Sequence, residues 1–143
     1  MKLSAKVKYA IKAVTELAVR RSLGEQVRLS DLAKAQRIPK NFLLQLLLRL
    51  KNAGIVASTR GVAGGYALAL APERITLADV VRAIDEDVLE FSLPAGSARQ
   101  GELDRILGRL WKDINESIAE KLGSVTLDLL AAQVSREPIS YTI

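Results

Sequence analysis

The sequence predicts a mainly α-helical protein: a winged helix-turn-helix domain of three helices plus a two-stranded β-wing, followed by a long C-terminal helix with an apolar face. Three observations carry that expectation. Two helical patterns joined by a proline turn are followed at once by a glycine-rich hairpin pattern. An apolar face with helical spacing runs through residues 102–122. The charge is also divided: residues 1–60 hold thirteen Lys/Arg against three Asp/Glu, a net of +10, whereas residues 61–143 hold eight against thirteen, a net of −5. A strongly basic half in a small chain points to a polyanionic partner.

Residues 2–21 open the chain as an amphipathic helix. Leu3, Val7, Ala10, Ile11, Val14, Leu17 and Ala18 recur at helical spacing, with Lys2, Lys6, Lys8 and Lys12 off that stripe, and Gly24 is suited to a C-terminal cap. Ser30 is placed to cap a short helix over 31–36, with Asp31 in the first turn where the helix dipole favours an anion. Leu32, Ala33 and Ile38 are its apolar contacts. Arg37-Ile38-Pro39 breaks the run, and Pro39 can open the next helix because its missing N–H is not needed there. That helix covers 40–53 and closes at Gly54. It buries Leu43, Leu46, Leu47 and Leu50, and its other side offers Lys40, Asn41, Gln45, Arg49 and Asn52.

Residues 55–59 and 66–70 read as two strands around a turn, with Gly61, Gly64 and Gly65 available for positive φ. Arg60 lies where a wing can enter a minor groove. Thr76, with Asp79 three residues on, predicts a capped helix whose core face is Leu77, Val80, Val81 and Ile84, ended by Asp85-Glu86-Asp87. Residues 88–101 read as an irregular loop. The long helix follows, with Leu103, Ile106, Leu107, Leu110, Trp111, Ile114, Ile118 and Leu122 on one face, stopped by Gly123. Thr126 caps a last helix over 127–134, and the tail from Glu137 has no clear period.

Composition narrows the function. The chain has no cysteine and no histidine, so disulfides, thiolate nucleophiles and thiolate metal sites are excluded, and the commonest general base and zinc ligand are absent. No apolar run reaches the roughly 20 residues of a membrane span, and the opening has no apolar signal-peptide segment. A cytoplasmic protein without membrane association is expected. Asp85, Glu86, Asp87 and Glu90 are the only arrangement that invites an acid/base or hard-metal reading, and a solvated helix end explains them more simply. The wing glycines lack the strand–Gly–helix context and the Lys-Ser/Thr pair of a phosphate loop. No catalytic residue, metal ligand or cofactor is expected.

Three stretches, MKLSAKVKYAIKAVTELA, LSDLAKAQRIPKNFLLQLLLRLKNAGIVASTRGVAGGYALAL and the later pairing of Trp111 with TLDLL, resemble the Rrf-two (IscR/CymR-like) family of winged-helix transcription regulators over roughly residues 1–132. The wing attached to this particular helix is the most specific part. The resemblance implies a homodimer whose long helices cross and whose two recognition helices meet a pseudo-palindrome in double-stranded DNA, acting as a repressor. It divides the chain into a DNA-binding domain at 1–84, a loop at 85–101 that senses in relatives, and a dimerising part at 102–143. It places Pro39, Asn41, Phe42, Leu44 and Gln45 at recognition-helix contact positions and Arg60, beside Gly61, at the wing arginine. Lys2 and Ser30 join the expected contact set. Gln45 suits an adenine edge, Asn41 a base or phosphate, and Lys40 and Arg49 phosphates.

The sequence also departs from the family pattern. Leu44 stands where many relatives carry glutamate. It cannot accept from a cytosine amino group but can pack on a thymine methyl. Phe42 replaces a tyrosine. Leu48 reads as structural. Many relatives hold an iron–sulfur cluster with three cysteines near residues 91–105, and this segment has no thiol and no imidazole, so a cysteine-ligated cluster is excluded. The chain is then a natural cluster-free member, responding to a small molecule, a partner protein or nothing, or a cysteine-free variant of a cluster-bearing one. Leu93, Arg99 and Arg105 are not routine cysteine replacements and favour the former. The competing class is a winged-helix protein-interaction module with no specific DNA site.

Overall fold

The computed structural model of the protein describes residues 3–21, 25–62, 64–89 and 101–136. Among these, six helices and one hairpin follow in the order α1 (Ala5–Arg21), α2 (Leu29–Gln36), α3 (Lys40–Asn52), β1 (Val56–Thr59), β2 (Gly65–Leu68), α4 (Leu77–Ile84), α5 (Glu102–Gly123) and α6 (Leu127–Arg136). Short 3₁₀ turns at Pro72–Arg74 and Glu86–Leu89 flank α4.

One core organises the chain. Val7, Ala10, Val14 and Leu17 of α1 meet Leu32 of α2, Leu43, Leu47 and Leu50 of α3, Leu68 of β2, Val80 and Val81 of α4 and Leu127 of α6, all buried. The stripe expected on the first helix is real except at its start. Ser4 accepts from the Val7 N–H at 3.3 Å and from the Lys8 N–H at 3.0 Å, so the helix begins at Ala5 and Leu3 lies outside its period, 54% exposed.

The second helix begins earlier than expected, and Ser30 is not its cap. Val27 pairs with Tyr66 as a lone antiparallel bridge, donating to its carbonyl at 2.9 Å and accepting from its N–H at 2.7 Å. That bridge holds Arg28 extended (φ −70°, ψ 148°) as the capping residue, and Leu29 starts the helix. Ser30 sits exposed in the first turn. At the other end Arg37 takes a left-handed conformation (φ 54°) and turns the chain toward Pro39, which caps α3.

β1 and β2 pair antiparallel from Val56↔Leu68 to Thr59↔Gly65. Of the three wing glycines singled out, Gly61 alone has positive φ (112°). Gly64 and Gly65 are needed for close approach. A Cβ on Gly64 would lie 2.3 Å from the Thr59 carbonyl oxygen, and one on Gly65 would lie 2.7 Å from the Val27 carbonyl oxygen.

Thr76 and Asp79 form the expected capping box, with reciprocal bonds of 3.0 and 3.1 Å. The core face of α4 is Ala78, Val80, Val81 and Ile84. Leu77 is only half-buried, and its N–H donates to the Val125 carbonyl at 2.9 Å. The Leu127 N–H donates to the Ile75 carbonyl, also at 2.9 Å. These bonds make a Thr76↔Thr126 bridge that fastens the start of α6 to the start of α4. Gly123 is the last residue of α5 and the right-handed Ser124 caps it. The cap expected at Gly24, most of the 88–101 loop and the tail from residue 137 lie outside the described residues.

Candidate nucleic-acid interface

α2 and α3, joined by the Arg37–Pro39 turn, form the helix-turn-helix, and the hairpin stands beside them as the wing. The buried residues of α3 (Leu43, Leu46, Leu47 and Leu50) define its inward direction. At about 100° per residue, Asn41 and Asn52 lie within about 10° of the opposite direction, and Gln45 and Leu48 within about 30°. Leu44 and Arg49 flank this arc. Lys40, Asn41, Leu44, Gln45 and Arg49 are all exposed, as are Pro39, Arg60 and Gly61.

Contacts to the rest of the domain fix how this face is presented. Phe42 turns back from it and meets Tyr9 of α1 edge to face, with centroids 5.7 Å apart at 81°. Arg49 is drawn to one side, donating to the Ile84 carbonyl at 3.0 Å, so part of its bonding capacity goes to the end of α4. Lys51 donates to Ser58 Oγ at 2.7 Å, tying the end of α3 to the first wing strand. Arg28 donates to the Val62 carbonyl at the wing tip. Arg21 reaches the Leu70 carbonyl at 2.7 Å and the Leu68 carbonyl at 3.4 Å, at the base of the second wing strand. The wing is therefore held on both strands and at its tip, which gives Arg60 a defined position relative to α3.

The electrostatics favour a polyanion. Of the three acidic residues in the first 60, Glu16 and Glu25 both pair with Arg20, at 3.0 and 3.5 Å. Glu16 also accepts from Gln36 at 2.9 Å, and Lys12 donates to the Gln36 carbonyl at 2.7 Å, binding α1 to α2. The hydrogen bond and charge of Glu16 raise the Arg20 pKa above its ordinary value. The third acid, Asp31, faces the dipole at the start of α2. Lys6, Lys8, Lys34, Arg37, Lys40 and Arg60 are left exposed with no acidic partner among the described residues.

Lys2 lies outside the described residues. Leu48, expected to be structural, is instead 58% exposed, because the leucine run of α3 is longer than one helix face and the core takes only positions 43, 46, 47 and 50. Sequence reasoning passed over Arg28 and Lys51 as wing anchors. Their partners are a distant carbonyl and a distant hydroxyl, and no local pattern announces either.

A second surface stands apart. α5 has no buried residue. Leu103 is 67% and Trp111 42% exposed, and Ile106, Leu107, Leu110 and Ile114 are exposed between them. Ile118 is half-buried, and Leu122 packs partly on the core. This face therefore stays outside the subunit's own core over residues 103–114.

The Rrf2 family, described as iron-dependent transcriptional regulator, matches residues 3–133. The chain belongs to the Rrf2 family. The IscR regulator of Aliivibrio salmonicida is 34% identical over 140 residues, covering 98% of this chain and 83% of that protein. The IscR regulator of Xenorhabdus nematophila is 36% identical over 130 residues, covering 91% and 79%. Among solved structures, CymR, the global cysteine regulator of B. subtilis, superposes with a TM-score of 0.79 at 30% identity, covering 93% of this chain and 98% of CymR. IscR of T. potens gives 0.76 at 30% identity, covering 99% and 95%. This Rrf2 member is a winged-helix DNA-binding transcription regulator, and its relatives are regulators rather than enzymes.

The donors present do not suit the iron of the family description. Iron–sulfur clusters are held by soft thiolates, with imidazole in some cases, and this chain has neither residue type. Among the described residues no three acidic side chains gather where they could hold a metal ion. The residues do not fit such a group. No helix among the described residues is long and apolar enough to cross a membrane.

Proposed function

We propose that this Rrf2 regulator is a repressor that acts as a homodimer on a pseudo-palindromic operator and works without an iron–sulfur cluster. The observation that carries the reading is the pairing of two exposed surfaces on one chain: a polar, basic face on α3 and the wing, and an unburied apolar face on α5. The first suits a duplex groove. Asn41 and Gln45 point outward as base readers, Lys40, Arg49, Ser30 and Lys2 act as phosphate-side contacts, Pro39 and Phe42 set the pose of the helix, and Arg60 beside Gly61 reaches from the wing. The second suits a copy of itself, since a self-complementary patch closes a two-fold dimer and a two-fold dimer reads a palindrome. Residues 1–84 are then the reader and 102–143 the dimerising part, which α6 anchors by packing on α1.

Occupancy of a promoter by such a dimer excludes polymerase sterically, which is repression. Control comes from a small molecule or a protein acting through the segment at 85–101, in place of cluster chemistry. In vitro selection of duplexes from a random library tests the reading. A two-fold symmetric consensus, bound in the nanomolar range with a steep salt dependence, is expected. Random duplex bound as tightly as the selected site would sink it in favour of a protein-docking role.

A further inference from the structure

We propose that Leu48, with Leu44 beside it, is a specificity-determining residue that reads thymine C5-methyl groups in the major groove. The proposal rests on the DNA-binding reading above. Leu48 is 58% and Leu44 45% exposed. A single leucine on a protein surface is ordinary. The position of these two is what is informative. Leu48 lies within about 30° of the outward direction of α3, between Asn41, Gln45 and Asn52, on the part of the helix farthest from the core. Leu43, Leu46, Leu47 and Leu50 already complete the inward face, so neither exposed leucine is needed to hold the helix down. Leucine also has no donor or acceptor and no charge, and so cannot serve as a phosphate contact.

The major groove offers such a side chain one apolar group. The thymine C5-methyl is the only hydrocarbon among the base-edge features that distinguish the four pairs. Residues four apart on a helix have Cβ atoms about 5–6 Å apart, and successive base steps on one strand are about 3.4 Å apart. Leu44 and Leu48 are therefore spaced to reach bases one or two steps apart, while Asn41 and Gln45 supply polar contacts from the outward arc beside them. The reading predicts thymines at one or two fixed positions of each half-site, chosen by apolar contact and not by hydrogen bonding.

The test uses the selected operator with single thymines replaced by deoxyuracil. This removes one methyl and leaves the pairing and the O4 acceptor intact. The wild-type protein is expected to lose about three- to fivefold in affinity at one or two positions, the effect of unburying roughly one methyl-sized group. Leu48→Ala is expected to bind the thymine and deoxyuracil operators equally at one of those positions, with random-duplex binding and the melting temperature unchanged. Leu44→Ala should lose methyl sensitivity at a position one or two steps away. A wild-type protein indifferent to every deoxyuracil replacement would overturn the proposal, as would a Leu48→Ala protein that stays as methyl-sensitive as the wild type. Failure to enrich any duplex is a separate result and would remove the DNA reading itself.

Discussion

α3 and α5 both expose leucine to solvent, and the company each keeps separates their roles. On α3, two leucines stand among Asn41, Gln45 and Asn52, with Lys40 and Arg49 at the flanks and a net +10 in the surrounding 60 residues. On α5, six large apolar residues follow one another along a helix with no fully buried residue, and the rest of its surface carries both signs of charge. Exposed apolar area alone does not name a partner. Interspersed with amides and cations, it belongs to a surface that meets a polar, anionic ligand. Continuous and ringed by mixed charge, it suits the self-association proposed above.

Five substitutions would break or sharpen this contrast. The largest effect is expected from Leu110→Asp on α5. A charge at the centre of the apolar face should convert the dimer to a monomer in sedimentation, and operator affinity should fall by about a hundredfold or more, because each reader then acts alone. The helical circular dichroism should persist, since Leu110 contributes nothing to the subunit core. A dimer that survives the change would remove α5 from the interface.

Within α3, adjacent leucines should behave as opposites. Leu47→Ala, at a fully buried position, should cost roughly 2–5 kcal/mol in urea unfolding. Leu48→Ala should stay within about 0.5 kcal/mol of the parent. Equal costs would show that Leu48 is packed after all.

Smaller effects separate readers from positioners on the same helix. Gln45→Ala should cost about 1–3 kcal/mol on the operator and relax preference at one base pair, leaving random-duplex binding intact. Lys40→Ala should weaken all duplexes alike and lower the slope of log affinity against log salt by about 1. Binding titrations at several salt concentrations distinguish the two, and a Lys40 effect confined to one sequence would reassign it to base reading.

The sequence was most legible where the physics is local. The Thr76–Asp79 capping box needs only residues three apart, and the inward leucines of α3 follow from helical period. Legibility failed where a distant partner decides. Ser30 has the chemistry of a cap, yet the Val27–Tyr66 bridge sets where α2 begins, and nothing near Ser30 reveals Tyr66. Glycine is ambiguous by nature. Gly61 uses its freedom of φ, while Gly64 and Gly65 use their missing side chains to let backbones touch, and the letters are the same. In the candidate interface, the polar candidates Asn41 and Gln45 stand out against a leucine-rich helix, whereas the exposure of Leu48 within the run LLLRL follows only from the direction of the core. Arg28 and Lys51 hold the wing through partners that only folding brings near.

The backbone bridge between Thr76 and Thr126 has a consequence for how such a protein can change. The first residues of α4 grip the chain as it returns from α5, while the last residues of α4 hand it outward. The excursion thus leaves and rejoins the reader at two ends of one short helix. Closing a loop costs only about 0.6 kcal/mol more for each doubling of its length. Residues can be inserted, removed or rewritten between α4 and α5 with little penalty to the winged helix that reads DNA. The segment proposed to detect a signal is, in that sense, an exchangeable cartridge. A lineage can trade one stimulus for another, or discard detection, without having to reinvent the part that finds the gene.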